Sequence, residues 1–382
     1  MTRIYVIRHA EAEGNLYRRI QGWYNSLITD RGYHQIAALE GRFEHEKIDG
    51  VYSSDLFRTM TTAGAIYKSH GLPLITRPEL RELHMGEWED LPWGQAAYDT
   101  PEQIAFFNSS DSHWSVPGAE TFTQVGRRVT DAVLNIAAEN PNRTLAIFSH
   151  GLAIRSLQGT LLGLAPEEWV ELGHGDNTAV TCLEVADGKA KMLFRNDNSH
   201  LPAEISTLAN QNWWKSKEGF RSDRNLHYAP MDLETEGAAY YEARQEAWEH
   251  IYGDLQGFDG AGFLQEARQQ QRQDPRAVIR AYLGDEPVGI LQLDLQRDAC
   301  AGVGYLPFYY MAPDWRCQGL GVQLMGAAIS IYRPLKRDKL CLRCSPENRV
   351  AQRFYLRYGF TKIGQTKGKN GMLDVLEKQI GY

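Results

Sequence analysis

The stretch Ile4-Tyr5-Val6-Ile7-Arg8-His9-Ala10-Glu11-Ala12-Glu13-Gly14-Asn15 decides how the first half of the chain folds. Ile4 to Ile7 is apolar on both faces. Such a strand belongs inside a sheet covered by helices on each side. It exits into a charged pair, Arg8-His9. Thr144-Leu145-Ala146-Ile147-Phe148 is a second strand of the same kind, and it exits into Ser149-His150-Gly151. Between them, Thr29 and Asp30 are N-cap candidates for a helix carrying Ile36, Leu39 and Phe43. Gly50 to Ser54 reads as a short strand, and Phe57 to Tyr67 and Thr121 to Ala138 as helices. Val180 to Val185 and Lys191 to Phe194 alternate around Asp187-Gly188, a hairpin signal. Buried strands alternating with helices predict a layered α/β domain.

A chain of 382 residues exceeds one ordinary core, so two domains are expected. Character changes between Pro202 and His227, a polar stretch with Lys215, Lys217 and the pair Trp213-Trp214, read as packing. The expected division is a first domain over 1–203, a linker over 204–224 and a second domain over 225–382. In the second, Glu242 to Tyr252 reads as a helix, and Ala277 to Leu283, Val288 to Leu295 and Val303 to Met311 as strands. A glycine-containing loop and helix follow from Arg316 to Ile331. Then come a strand Leu340 to Arg343, a helix Asn348 to Tyr358 and a hairpin Thr361 to Ile380. No repeat of 20–50 residues suggests a solenoid.

The hydrophobic fraction of 43% and charged fraction of 23% describe a globular protein. A formal net charge of -7 gives no general attraction to nucleic acid or anionic membrane, so neither is expected as a partner. The five cysteines are irregularly spaced and imply no disulfide framework. Cys341 and Cys344 form a CxxC on a strand-like run, where odd spacing turns the side chains to opposite faces. No signal peptide and no membrane-spanning window is read, so a cytoplasmic location is expected.

In an open α/β sheet, ligands bind beyond the carboxyl ends of the strands. If the two buried strands are parallel neighbours, His9 and His150 face one crevice. A third strand ends in Ser53-Ser54-Asp55, with Arg58 one helical turn beyond. Two arginines and two histidines would converge where an anion can sit, and the planar guanidinium fork suits phosphate. Together, RHAEAEGN from Arg8, Gln21-Gly22, Leu27-Ile28-Thr29, Tyr52-Ser53-Ser54-Asp55-Leu56 with Arg58, Glu82 and Ser149-His150-Gly151 resemble the histidine phosphatase (phosphoglycerate mutase-like) superfamily over roughly residues 1–200. The resemblance implies a three-layer α/β/α fold. It implies that His9 attacks phosphorus and becomes phosphohistidine, with Arg8, Arg58 and His150 on the phosphoryl oxygens. Glu82 would protonate the leaving oxygen, and Asn15 and Gln21 would contact phosphate or substrate. Neutral imidazole is a good nucleophile, positioning and positive charge dominate phosphoryl transfer, and a carboxylic acid can protonate an alkoxide. No metal or cofactor is expected for this half. The substrate would be a small phosphorylated metabolite.

Two positions depart from the family pattern. Ala10 replaces the usual glycine after the nucleophile, and Ser26 stands where proline is common. Phosphoglycerate mutases carry a longer insertion than the segment from Glu82 to Ser149 here, which favours hydrolysis over mutase activity. That segment holds Trp88, Trp93, Phe106, Phe107 and Trp114, read as packing rather than a stacking platform.

The loop Arg316-Cys317-Gln318-Gly319-Leu320-Gly321 follows a strand and opens a helix, a geometry that cradles anions on backbone N–H groups. With Asn348-Arg349-Val350-Ala351-Gln352-Arg353-Phe354-Tyr355-Leu356-Arg357-Tyr358-Gly359-Phe360, it resembles the GNAT acetyltransferase family over roughly residues 225–382. The resemblance implies an α+β fold and acetyl-CoA as cofactor. Its pyrophosphate would lie on the N–H groups from Gln318 to Gln323, beside Arg316, Gly319, Leu320 and Gly321. Pantetheine would run near Met311. Asn348 would hydrogen-bond the cofactor, and the Tyr355 hydroxyl would protonate the CoA thiolate. The acceptor would be an amine. Its general base stays open among Asp294, Glu242 and water. The whole reads as a bifunctional enzyme; the alternatives are a mutase in the first half or a CoA-sensing module in the second. The oligomeric state is not legible.

Overall fold

The computed structural model describes residues 1–211 and 224–382; the Trp213-Trp214 pair, Lys215 and Lys217 lie outside the described residues. The chain forms two compact units. One is built from Met1–Leu91 and the chain from Ala96 onward; the other takes Pro92–Gln95 and Arg224–Tyr382.

The first unit holds a six-stranded sheet of β1 (Thr2–Arg8), β2 (Gly50–Ser53), β3 (Leu74–Thr76), β4 (Thr144–Ser149), β5 (Val180–Ala186) and β6 (Lys189–Asp197). Its order is β3-β2-β4-β1-β5-β6. The first four run parallel, and β5 and β6 close the edge antiparallel. Ile4, Val6, Ile7, Leu145, Ile147 and Phe148 are fully buried, as expected of strands covered on both faces. Thr29 caps the helix Asp30–Phe43 by accepting from the Gly32 N–H, and Leu39 and Phe43 face the core. Thr121 and Gln124 form a reciprocal capping box at the helix Phe122–Glu139. Asp187 and Gly188 both have positive φ, which the tight turn between β5 and β6 needs.

Ser206 and Thr207, inside the expected linker, are tied into this first unit. Ser206 Oγ donates to Asp176 at 2.6 Å, and Thr207 Oγ1 to Glu11 at 3.1 Å. The aromatic segment packs: Trp88, Phe107, Trp114 and Phe122 interlock with ring centroids 5.2–6.1 Å apart.

The second unit is α+β. Its seven strands are β7 (His227–Pro230), β8 (Val278–Leu283), β9 (Glu286–Asp294), β10 (Val303–Met311), β11 (Lys339–Cys344), β12 (Thr361–Gly368) and β13 (Gly371–Gln379). Their order is β12-β13-β11-β10-β9-β8-β7. All neighbours are antiparallel except β10 and β11. The helices Gly237–Tyr252 and Gly260–Gln273 pack with Val278, Ile290 and Phe308 in one core cluster. The helix Gly321–Tyr332 is buried along most of its length. The Gly260–Gln273 helix was not expected. Its sequence is mostly polar, and Asp259 starts it by accepting from the Gly262 N–H. In the expected loop and helix over 316–331 the helix begins at Gly321, after Cys317 and Gly319 take positive φ in the loop. Among the described residues no helix is long and apolar enough to cross a membrane.

Candidate active sites

β1 and β4 are parallel neighbours, with Arg8 level with Ser149. His9 and His150 therefore leave the sheet side by side, their ring centroids 5.3 Å apart. His9 is 2% exposed and His150 fully buried. His9 Nδ1 lies 2.7 Å from the Ala10 carbonyl oxygen. A carbonyl only accepts, so the proton sits on Nδ1 and the lone pair on Nε2. The backbone oxygen of His9 accepts from Asn177 Nδ2 at 2.8 Å. Burial, then Arg58 and Arg8, hold the His9 imidazole well below its ordinary value, so it is neutral at pH 7. His150 is depressed by burial and by Arg58, His9, Arg128 and Arg8. Its Nε2 meets Ser54 Oγ at 2.9 Å, and its buried Nδ1 has no partner among the described residues.

Arg8 donates to the Gly175 carbonyl at 2.6 Å, and its Nε has no partner among the described residues. Its guanidinium presses against Gly151, where a Cβ would stand 3.3 Å from Cζ. Glycine in Ser-His-Gly thus makes room for the cation. Arg58 is fully buried and donates to the carbonyls of Gln21, Gly22 and Tyr24. Glu89 accepts from the N–H groups of Trp23 and Tyr24, both at 2.7 Å. A buried cation and an anion thus clamp the same loop. Arg58 acts on the histidines by its charge, while these hydrogen bonds run to the loop.

Glu82 is fixed by the start of the helix Gly151–Leu161. Its carboxylate accepts from Leu152 and Ala153 N–H at 3.0 and 2.8 Å. Its backbone oxygen accepts from Trp23 Nε1 and Arg128. A cleft of about 560 Å³ opens beside it, lined by Trp23, His84, Glu120 and Arg128. Asn15 lies on the short helix Glu13–Tyr17, and Gln21 on the loop that follows it. Asn15 Oδ1 accepts from the Ala12 N–H, and Gln21 Oε1 from Ser26 Oγ. Ala10 has no positive φ, and its methyl packs with Ala12, Ile28 and Ile36. The position accepts alanine because its backbone is ordinary.

Sequence reasoning missed Arg155. It lies one turn after Gly151 on the same helix; its guanidinium meets His174 Nδ1 through Nη2, and its Nε has no partner among the described residues. Burial and the Arg8 charge pull its guanidinium down to about 10. Its only signal was the four-residue spacing from Gly151, which puts both on one helix face.

In the second unit, β10 and β11 pair from Val303 with Lys339 to Leu306 with Leu342, and no further. β10 then continues to Met311 and β11 to Cys344, and the strands part. A bulge lies between Tyr305 and Phe308, at Pro307, which has no N–H to offer a ladder. The gap opens a cavity of about 1240 Å³. Met311, Arg316, Gly319, Gly321, Asn348 and Tyr355 line it; Gln318 and Leu320 do not. The Gln318 side chain turns to the Asp314 carbonyl, and Leu320 is 2% exposed in the core. Arg316 is engaged with Glu246 and the Met311 carbonyl. Asn348 caps its helix, accepting from the Ala351 N–H at 3.1 Å. Tyr355 is 7% exposed, and burial pushes its phenol far up, so it stays protonated. Glu242 and Asp294 do not line the cavity; Glu266 does. Asp294 instead accepts from the N–H groups of Gln296 and Arg297. Glu266 was hidden in the polar helix that the sequence did not disclose.

Residues 4–198 match the histidine phosphatase superfamily (branch 1), and residues 238–360 the acetyltransferase (GNAT) family. The first part is similar to a probable phosphoglycerate mutase, GpmB, of Yersinia pestis (strain Pestoides F). Identity is 35% over 165 residues, which is 43% of this chain and 76% of that one. It is also similar to the solved structure of Bacillus stearothermophilus YhfR. That match has a TM-score of 0.51 and 26% identity, covering 52% of this chain and 99% of that one.

Proposed function

The chain belongs to the histidine phosphatase superfamily and also carries a GNAT acetyltransferase domain, and from that premise we propose a bifunctional enzyme. The first activity is hydrolysis of small phosphomonoesters without a metal. The observation that carries it is His9, whose Nδ1 proton is committed to the Ala10 carbonyl and whose ring is held neutral by burial, by the buried Arg58 and by Arg8, leaving the Nε2 lone pair free. Nε2 attacks phosphorus and the ester P–O bond breaks. Glu82 gives its proton to the departing oxygen. Water then attacks the phosphohistidine, loses a proton to Glu82, and the P–N bond breaks. Arg8, Arg58 and the unpartnered Nδ1 of His150 supply positive charge and a donor to the three phosphoryl oxygens. Asn15 and Gln21 border the substrate. The test is p-nitrophenyl phosphate hydrolysis by wild type and His9→Ala; undiminished turnover in the variant rejects the nucleophile. The likeness to GpmB favours a second reading, phosphoglycerate mutase activity, which would need a bisphosphorylated primer.

The second activity is acetyl transfer from acetyl-CoA to an amine. The parting of β10 and β11 supports it, because it exposes backbone groups along a cavity that ends at a glycine loop and helix start. The loop N–H groups from Gln318 to Gln323 would take the pyrophosphate, and pantetheine would pass Met311 and Asn348. The amine, after losing one proton, attacks the thioester carbon. The C–S bond breaks, the thiolate takes the Tyr355 proton, and the new amide nitrogen sheds its extra proton. Calorimetry finding no CoA binding would reject this reading. We assign residues 1–203 to the phosphatase and 225–382 to the acetyltransferase, with 204–211 packed beside the former.

A further inference from the structure

The acetyltransferase cavity has two ends of different chemistry. It follows β10 from Tyr305 to Met311, seven residues and ~20 Å at strand rise. The Met311 end meets the glycine loop. The helices Gly237–Tyr252 and Gly260–Gln273 also line the cavity, through Trp248, Phe263 and Glu266. Two arginines line the Tyr305 end. The guanidinium of Arg297 lies 3.8 Å from the centre of the Tyr305 ring, and that of Arg343 5.9 Å from the same ring.

Both guanidinium groups reach water: the Arg297 side chain is 34% exposed, and Arg343 is the exposed residue of its strand. Among the described residues Arg297 has only Asp298, 3.5 Å away and itself 56% exposed, and Arg343 makes no ion pair or hydrogen bond. Their donors are therefore open to an anion that enters the cavity. Arg244, another of the six arginines that line the cavity, is saturated by contrast. It donates to Tyr240 Oη, Gln292 Oε1 and the Pro307 carbonyl, and covers the Phe308 ring at 3.9 Å. It holds the bulge, leaving Arg297 and Arg343 for a ligand.

Glu266 faces the same end. Gln270 Nε2 approaches its carboxylate at 3.4 Å, and Gln270 Oε1 accepts from the buried Gln292 at 2.7 Å. Gln292 in turn meets Arg244, so a chain of amides anchors the acid to the cavity floor. Burial raises the Tyr305 phenol, Arg297 and Arg343 pull it down, and Cys341 and Glu266 push it up, so the field of all of them is felt at this ring.

We infer that the acetyl acceptor is a small zwitterionic amine, whose carboxylate or phosphate docks between Arg297 and Arg343 and whose ammonium faces Glu266. The inference rests on the acetyltransferase reading and adds the substrate class to it. An amine without an anion would gain nothing from the arginine pair.

The test is calorimetry on the full chain. CoA is titrated first, then phosphoethanolamine, β-alanine and ethanolamine into the CoA-saturated protein. At least one anionic amine should bind ten-fold or more tighter than ethanolamine, and the two arms tell phosphate from carboxylate. Arg343→Met and Arg297→Met should each reduce that preference to near unity, with CoA affinity held. Arg343→Lys should restore part of it. Equal binding of all three amines, no binding of either anionic amine, or arginine variants that weaken CoA instead would overturn the inference. Absence of CoA binding in wild type would instead overturn the acetyltransferase reading, and the inference with it.

Discussion

The two sites solve opposite problems. The phosphatase pocket is built from side chains at strand ends, buried and locked by hydrogen bonds before any ligand arrives. The acetyltransferase cavity is roomy and lined by backbone that two parting strands expose. Phosphoryl transfer needs fixed charge at one point, so the chain concentrates His9, Arg8, Arg58 and His150 there. A long cofactor needs a track, so the second unit provides length. The first site should therefore fail sharply when one side chain is changed, and the second should fail gradually.

The largest effect should come from Arg58→Ala. It removes a buried charge beside both histidines and the clamp on residues 21–24. We expect kcat/KM to fall about 10³-fold, with a lower Tm read by calorimetry. Next is Glu82→Gln. Alkyl phosphates should lose about 10²-fold in kcat, and p-nitrophenyl phosphate far less, because its phenolate leaves without a proton. Equal losses on both would reduce Glu82 to a helix cap. In the second site, Tyr355→Phe should slow acetyl transfer about ten-fold, while calorimetry finds CoA affinity held. Gly319→Ala forces a methyl onto a residue at φ +78°, with open space around it. The strain of about 1 kcal/mol should appear as roughly five-fold weaker CoA binding. The smallest change is in pH dependence. His9 must be neutral to attack, and its folded value is depressed. The kcat/KM of the phosphatase should therefore stay level as pH falls through 6.5, and drop only below it.

The same contrast explains what the sequence disclosed. Ile4–Ile7 and Leu145–Phe148 announce themselves because two-faced burial leaves no polar residue in them. His9 and His150 then stand out as charged exits from apolar runs. Arg155 does not, since one arginine in a helix pattern means nothing until the helix is seen beside Arg8. Helix Gly260–Gln273 escaped because its buried positions are Gly260, Ala267 and Gln270, none strongly apolar. Glu266 escaped with it. The parting of β10 and β11 follows from register, and composition carries no trace of register.

The central claim is that His9 becomes covalently phosphorylated. Rapid mixing with p-nitrophenyl phosphate, an alkaline quench and mass mapping would read it directly. The account predicts one phosphoryl group on the peptide containing His9, lost on acid treatment and absent from His9→Ala. Phosphate on another residue, or a His9→Ala protein that still turns over substrate, would contradict it.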